Sequence, residues 1–158
     1  MEEFIEFLIE SKKHTYANGK ALKKGSTRIG SDDYEFSKVS NAKKFVYHDT
    51  YFGGTNFIGE EVVYIDSEKP IWAMNYYGTT LKKELNEKLI DFALRPALMK
   101  VGEDNSVLPL RGPGKFENSG FKYIFKSSGT LEDFTGIEEI YKEKELIYRL
   151  VCHGGIIK

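Results

Sequence analysis

The residues best equipped for acid/base chemistry lie in one short run, His48-Asp49-Thr50-Tyr51. An imidazole beside a carboxylate and a phenol can move protons near neutral pH. A strand sends His48 and Asp49 to opposite faces, so both address one substrate only if a bulge near Gly53-Gly54 turns one of them. Otherwise Asp49 bonds the backbone of the glycine turn and His48 is half exposed. The second set is Glu60-Glu61, matched later in the chain by Glu138-Glu139. If Glu61 and Glu138 share the apolar side with Val63 and Ile140, burial raises a carboxyl pKa and creates a general acid or a cation ligand. The structural alternative is a carboxylate that caps a strand end or a glycine-turn amide.

Leu110-Arg111-Gly112-Pro113-Gly114-Lys115 combines a guanidinium fork with glycine amides, a combination suited to anions, but it lacks the spacing of a nucleotide-hydrolysing loop and reads equally as a rigid turn. His14, His48 and His153 share no metal-ligand spacing and the chain has one cysteine, Cys152. No metal and no cofactor are therefore expected; the alternative, His48, His153 and a repeated Glu meeting in space, stays open. Most of the ten tyrosines fall in predicted strands, more than a core requires, which favours a ring-lined pocket with a few polar groups.

These residues must be held by elements that the patterning outlines. Phe4, Ile5, Leu8 and Ile9 predict an amphipathic helix over 2–13. A glycine-punctuated loop follows to about 33, with a basic run from Lys12 to Arg28 that reads as a solvated surface. Strands are expected over 45–52, 61–65 and 71–77, then a helix capped by Thr79 or Thr80 and interrupted at Pro96. After an irregular stretch, 103–119, a second meander is expected over 121–127, 134–142 and 145–153. Phe57-Ile58-Gly59-Glu60-Glu61-Val62-Val63-Tyr64 reads like Phe134-Thr135-Gly136-Ile137-Glu138-Glu139-Ile140-Tyr141, and Ile71-Trp72 to Gly78 like Ile147-Tyr148 to Gly154. The expectation is an α+β domain of duplicated αβββ units, a six-stranded, mainly antiparallel sheet with helices packed on one face, the pseudo-repeats spanning about 1–78 and 79–158. Alternation places Trp72, Met74 and Tyr76 with Tyr148, Leu150 and Cys152 in the core, and Asn75 and Tyr77 with Val151 and His153 on the opposite face.

The 158 residues, 41% hydrophobic and 30% charged, suit one soluble globular domain. A net charge of −1 argues against direct nucleic-acid binding. The single cysteine fits a reducing compartment, so a cytoplasmic location is expected, and the acidic start with no long apolar run suggests neither a signal peptide nor a membrane anchor.

The strings Tyr47-His48-Asp49-Thr50-Tyr51-Phe52-Gly53-Gly54, Trp72 to Gly78, Arg111-Gly112-Pro113, Gly136-x-Glu138-Glu139-Ile140-Tyr141 and His153-Gly154-Gly155 resemble an uncharacterised prokaryotic domain family of unknown function. Members sometimes sit behind a helix-turn-helix regulator. The resemblance implies a sensor or partner-binding role and carries no catalytic residues; the N-terminal helix here is too short to be that DNA-binding module. By architecture alone, the duplicated layout is similar to GyrI-like ligand-binding domains, whose unit order differs. The leading functional expectation is a non-enzymatic binding or sensor domain, with a Tyr-lined cleft between two repeats that holds a small organic molecule or a peptide. Tyr51, Asn75, Tyr77, Arg111 and His153 would orient the ligand, and loops 14–35 and 103–119 would close over it. The second expectation is an acid/base enzyme of hydrolase or isomerase type using Glu61, Asp49 or His48. The third is a protein–protein interaction module, with a homodimer or a regulator as partner.

Overall fold

The computed structural model describes residues 2–21, 23–66 and 68–158. Helix α1, Glu2–His14, carries Glu2 and Glu3 in its first turn and Lys12, Lys13 and His14 in its last, so both ends complement the helix dipole. It buries Phe7 and Leu8, and one turn further on it also buries Ser11 and Lys12. Ser11 Oγ donates to the Phe7 carbonyl at 2.7 Å, and Thr15 Oγ1, just past the helix end, donates to the Ser11 carbonyl at 2.9 Å, which gives both hydroxyls an acceptor in α1.

Eight strands follow: β1 (Asp32–Ser40), β2 (Lys43–Gly53), β3 (Asn56–Ile65), β4 (Lys69–Thr80), β5 (Lys115–Asn118), β6 (Phe121–Thr130), β7 (Asp133–Lys142) and β8 (Glu145–Ile156). They form one sheet in the order β1-β2-β3-β4-β8-β7-β6-β5, and every neighbouring pair is antiparallel. Two consecutive four-stranded meanders meet where β4 pairs with β8, Tyr76 opposite Cys152.

This architecture corrects the expected duplicated αβββ units and the six-stranded sheet with helices packed on one face. Among the described residues the sheet has eight strands, and helix is confined to α1 and one broken stretch, 83–98. β1 begins at the end of the expected loop and runs through a stretch to which patterning assigns no element, because its acidic opening hides the alternation of Tyr34 and Phe36. β5 is four residues long with a single apolar side chain, Phe116, too short to carry a period. Nor do the turns joining β1–β2 and β7–β8 announce themselves. Each is a two-residue loop with both φ angles positive, Asn41 and Ala42 at 47° and 62°, Glu143 and Lys144 at 49° and 70°, in residues other than the usual Asn-Gly.

The broken stretch begins later than expected, because β4 continues through Thr80. The Thr80 hydroxyl donates to Asn86 Oδ1 at 2.6 Å rather than capping a helix amide. A π-helical turn over Ile90–Leu94 leads into Arg95–Leu98, with Pro96 near the start of that last segment. Proline offers no amide to the preceding turn, and the wider π register accommodates the lost hydrogen bond. Leu89, Ala93, Leu94, Ala97 and Leu98 are buried, whereas Leu81 and Phe92 are exposed.

One core joins these residues to Phe7 and Leu8 of α1 and to the buried face of the sheet. Trp72, Met74 and Tyr76 on β4 and Tyr148, Leu150 and Cys152 on β8 all point into it, and Trp72 Nε1 donates to the Leu131 carbonyl at 3.0 Å. On the reverse face, Ile58, Tyr77, Val151 and Ile137 stand in one cross-strand row and are exposed.

Candidate functional site

Asp49 on β2 stands directly opposite Glu61 on β3, and both carboxyls point to the buried face. Period-2 geometry puts Tyr47 and Tyr51 on the same side of β2. On the next strand over, Tyr76 lies opposite Gly59. A Cβ at Gly59 would stand 2.5 Å from the Tyr76 hydroxyl and 2.5 Å from the Thr50 carbonyl. The missing side chain is what lets the phenol cross β3 and donate to Asp49 Oδ1 at 2.6 Å. The last turn of α1 supplies Lys12, whose ammonium pairs with Glu61 Oε2 in a buried salt bridge.

Glu138 is the carboxylate of a separate and saturated cluster. Arg111 Nε and Nη2 donate to its two oxygens at 2.9 and 2.8 Å, Tyr123 Oη donates at 2.6 Å and Tyr148 Oη at 2.9 Å. The Gly112 amide closes the set by donating to the Tyr123 hydroxyl at 2.9 Å. Burial opposes the Arg111 charge, but Glu138 more than offsets this and holds its pKa above the ordinary arginine value. Arg111 stays charged, and the forked geometry fastens the stretch before β5 to the middle of the sheet.

A cavity of about 380 Å³ opens above β2–β4, between the end of α1 and the broken helical stretch, with Tyr148 of β8 at its side. Lys12, Asp49, Glu61 and Arg111 give it a charged floor. Tyr16, Tyr51 and Phe57 form one wall, and Ile90, Leu94 and Leu98 form another. Burial raises the Asp49 pKa, the Glu61 charge opposite raises it further, and the Tyr76 hydrogen bond with Lys12 and Arg111 pulls it back, to about 7 from an ordinary 3.8. Burial also lifts Tyr47, Tyr76 and Tyr148 well above the ordinary phenol value, with nearby carboxylates adding to it, so these hydroxyls stay protonated donors. The arrangement therefore presents a carboxyl group that changes protonation near neutrality, oriented by a phenol and facing a half-open, largely apolar space.

Of the residues singled out in the sequence, Asp49, Glu61, Tyr51 and Arg111 line this cavity. His48 faces the other way, its Nε2 3.5 Å from Asp33 Oδ2 and 3.4 Å from Thr50 Oγ1. Asp33 is fully buried there and accepts the Thr27 amide at 2.7 Å. Burial works against its charge, but hydrogen bonds from Thr27, Ser31 and Thr50 bring its pKa down to about 2. Residues 24–31 thus fold toward the reverse face, while 15–17, from the same expected loop, border the cavity. Asn75, Tyr77 and His153 are exposed on the reverse face, Asn75 paired with His153 across β4 and β8, and they do not border the cavity. Cys152 is buried and its thiol is pushed up to about 12, first by burial.

Sequence reasoning missed Lys12, Tyr16, Leu94 and Arg95 as cavity residues and took Tyr76 only as core. A signal for Lys12 was present, since it follows Leu8 by one helical turn and so continues the buried stripe of α1. Among the described residues, no group of three or more His, Cys, Asp or Glu side chains has the geometry to hold a metal ion, and no helix is long and apolar enough to cross a membrane.

The fold and site define a small domain built on one antiparallel sheet, with a ligand-sized cavity and a buried acid on its inner face. The chain belongs to the family described as Domain of unknown function (DUF5680), which matches residues 49–157. The matched span opens at Asp49 and includes Glu61, Tyr76, Arg111 and Glu138, whereas α1 and Lys12 precede it. No curated protein and no solved structure matches the chain.

Proposed function

We propose that this protein binds a small organic molecule in the cavity above β2–β4. The observation that carries this reading is a cavity of about 380 Å³ with apolar walls, at whose floor the buried Asp49 carboxyl has a single hydrogen-bond donor, Tyr76, among the described residues. Concave, mostly apolar space with a few convergent polar groups is what small-molecule sites offer, and the volume falls in their range. A thermal-shift and ligand-observed NMR screen over a metabolite and fragment library tests it. Leu94→Trp, which extends an indole from the cavity wall, is expected to abolish binding of the hits. Hits that bind this variant as well as wild type would refute the location.

The near-neutral carboxyl favours a second reading, acid/base catalysis by Asp49 on the bound molecule, with Tyr76 holding the carboxyl in place. Conversion of a hit by wild type and not by Asp49→Asn, followed by NMR, would distinguish this from binding alone. As a binding domain, the protein would work in the cytoplasm as a sensor comparable in role to GyrI-like domains. It would pass its occupied state to a second copy or to a helix-turn-helix regulator. Ligand-dependent change in sedimentation or co-purification is the measurement for that step.

A further inference from the structure

Three bases line the cavity and each already has an anionic or aromatic partner. Lys12 pairs with Glu61. Arg111 is forked onto Glu138. Arg95 lies 3.8 Å from Asp91 and 5.0 Å above the Tyr16 ring. The acids are in excess: Asp49, Glu61, Glu87 and Asp91 all border the space, and Asp49 makes no ion pair among the described residues. The groups facing Asp49 come from every packed element: Tyr47 beside it on β2, Glu61 on β3, Tyr76 on β4, Lys12 on α1 and Arg111 from the stretch before β5. Their charges sum to a floor that can accept one further positive charge next to Asp49, once Glu138 is counted against Arg111.

The walls suit the same charge. Tyr51 and Phe57 put aromatic rings in the lining, whose π-systems attract ammonium groups in desolvated sites, while the Tyr16 ring already has Arg95 over it, and Ile90 and Leu94 offer hydrocarbon contact. An anionic ligand would meet Asp49 and Glu61, and a neutral one could offer the Asp49 carboxyl only an uncharged hydrogen bond, weaker than one from an ammonium. The one competing anchor is Arg95, whose buried Nε has no hydrogen-bond partner among the described residues.

We propose that the ligand of this cavity is a small organic cation, an alkyl- or arylalkyl-ammonium, whose N–H groups donate to Asp49 while its apolar body lies against Tyr51, Phe57, Ile90 and Leu94. This rests on the binding reading above and adds the chemical class. Pairing with an ammonium favours the ionised carboxyl, so a cation that binds near pH 7 expels a fraction of a proton from Asp49.

Three matched probes test it by titration calorimetry at pH 7, in two buffers of different ionisation enthalpy: phenethylamine, 2-phenylethanol and 3-phenylpropionate. Phenethylamine is expected to bind about tenfold or more tightly than the alcohol, as a charge-assisted hydrogen bond replaces a neutral one. Its apparent enthalpy should depend on the buffer, reporting proton release, a readout that wild type supplies alone. In Asp49→Asn the preference and the proton release should both disappear. Alcohol or carboxylate binding as tightly as the amine would overturn the cation assignment, the latter pointing to Arg95. A preference that survives Asp49→Asn would do the same. If none of the three binds while library members do, and lose binding in Leu94→Trp, the class alone falls; a library with no cavity-dependent member removes the underlying reading as well.

Discussion

Asp49→Asn is expected to stabilise the protein at neutral and mildly alkaline pH while leaving its stability near that of wild type in mild acid. The Asp49 pKa is raised to about 7 in the folded protein from an ordinary 3.8. A carboxyl raised on folding contributes stability that is fully present below its unfolded pKa, where both states are protonated, and is lost as pH rises toward the folded pKa. Over that window of about 3 pH units, at about 1.4 kcal/mol per unit, the ionised carboxyl comes to cost about 4 kcal/mol by pH 7 to 8. Asparagine removes the titration but keeps an oxygen that can accept from Tyr76, so the hydrogen bond survives. Ionisable groups remote from the cavity, Asp33 among them, titrate in both proteins and cancel in the difference. Urea unfolding of both proteins at pH 4.5, 5.5, 6.5 and 7.5 should therefore give a stability difference that grows steadily with pH in favour of the variant and levels off above 7. A difference that stays constant to within about 0.5 kcal/mol across this range would refute the placement of an isolated carboxyl in low dielectric. That a chain keeps such a residue at a stability cost is what a functional site predicts.

Glu138→Gln should lower stability by about 3–5 kcal/mol in urea titration, because it leaves the buried Arg111 without its counter-charge; a loss below about 1 kcal/mol would mean the cluster contributes little. Gly59→Ala must push the Tyr76 hydroxyl off Asp49 or shift β2, so a loss of more than about 2 kcal/mol is expected, with the largest amide shifts around residues 49 and 76; an unperturbed spectrum would contradict the close crossing. The Cys152 thiol, buried and with a pKa near 12, should react with a disulfide reagent at pH 8 only as fast as the protein unfolds; native-state labelling at the rate of a free thiol would show that the β8 face is open.

Short-range pattern determined much of this protein. Apolar spacing places α1 to within a residue at its C-terminal end, and the alternation Trp72, Met74, Tyr76 and Tyr148, Leu150, Cys152 identifies the buried face, because side-chain direction in a helix or strand follows from local backbone geometry. The same alternation separates Asp49 from His48, and residue type alone marks Asp49 and Glu61 as groups able to transfer protons. Where local signals are weak, pattern fails: Asn41-Ala42 and Glu143-Lys144 lack the residues that advertise a two-residue turn, and β1 and β5 are too acidic or too short to read. Which of the two sheet faces becomes a cavity, and which an exposed surface bearing Asn75, Tyr77 and His153, was decided only by tertiary structure. So was the pairing that leaves one acid apart from the rest. Lys12 reaches Glu61 across 49 positions of chain and Arg111 reaches Glu138 across 27, while among the described residues Asp49 finds only the phenol of Tyr76. A carboxyl pKa depends on every charge and every water molecule excluded within several ångströms, and those neighbours are assembled by packing, from parts of the sequence that no local period connects.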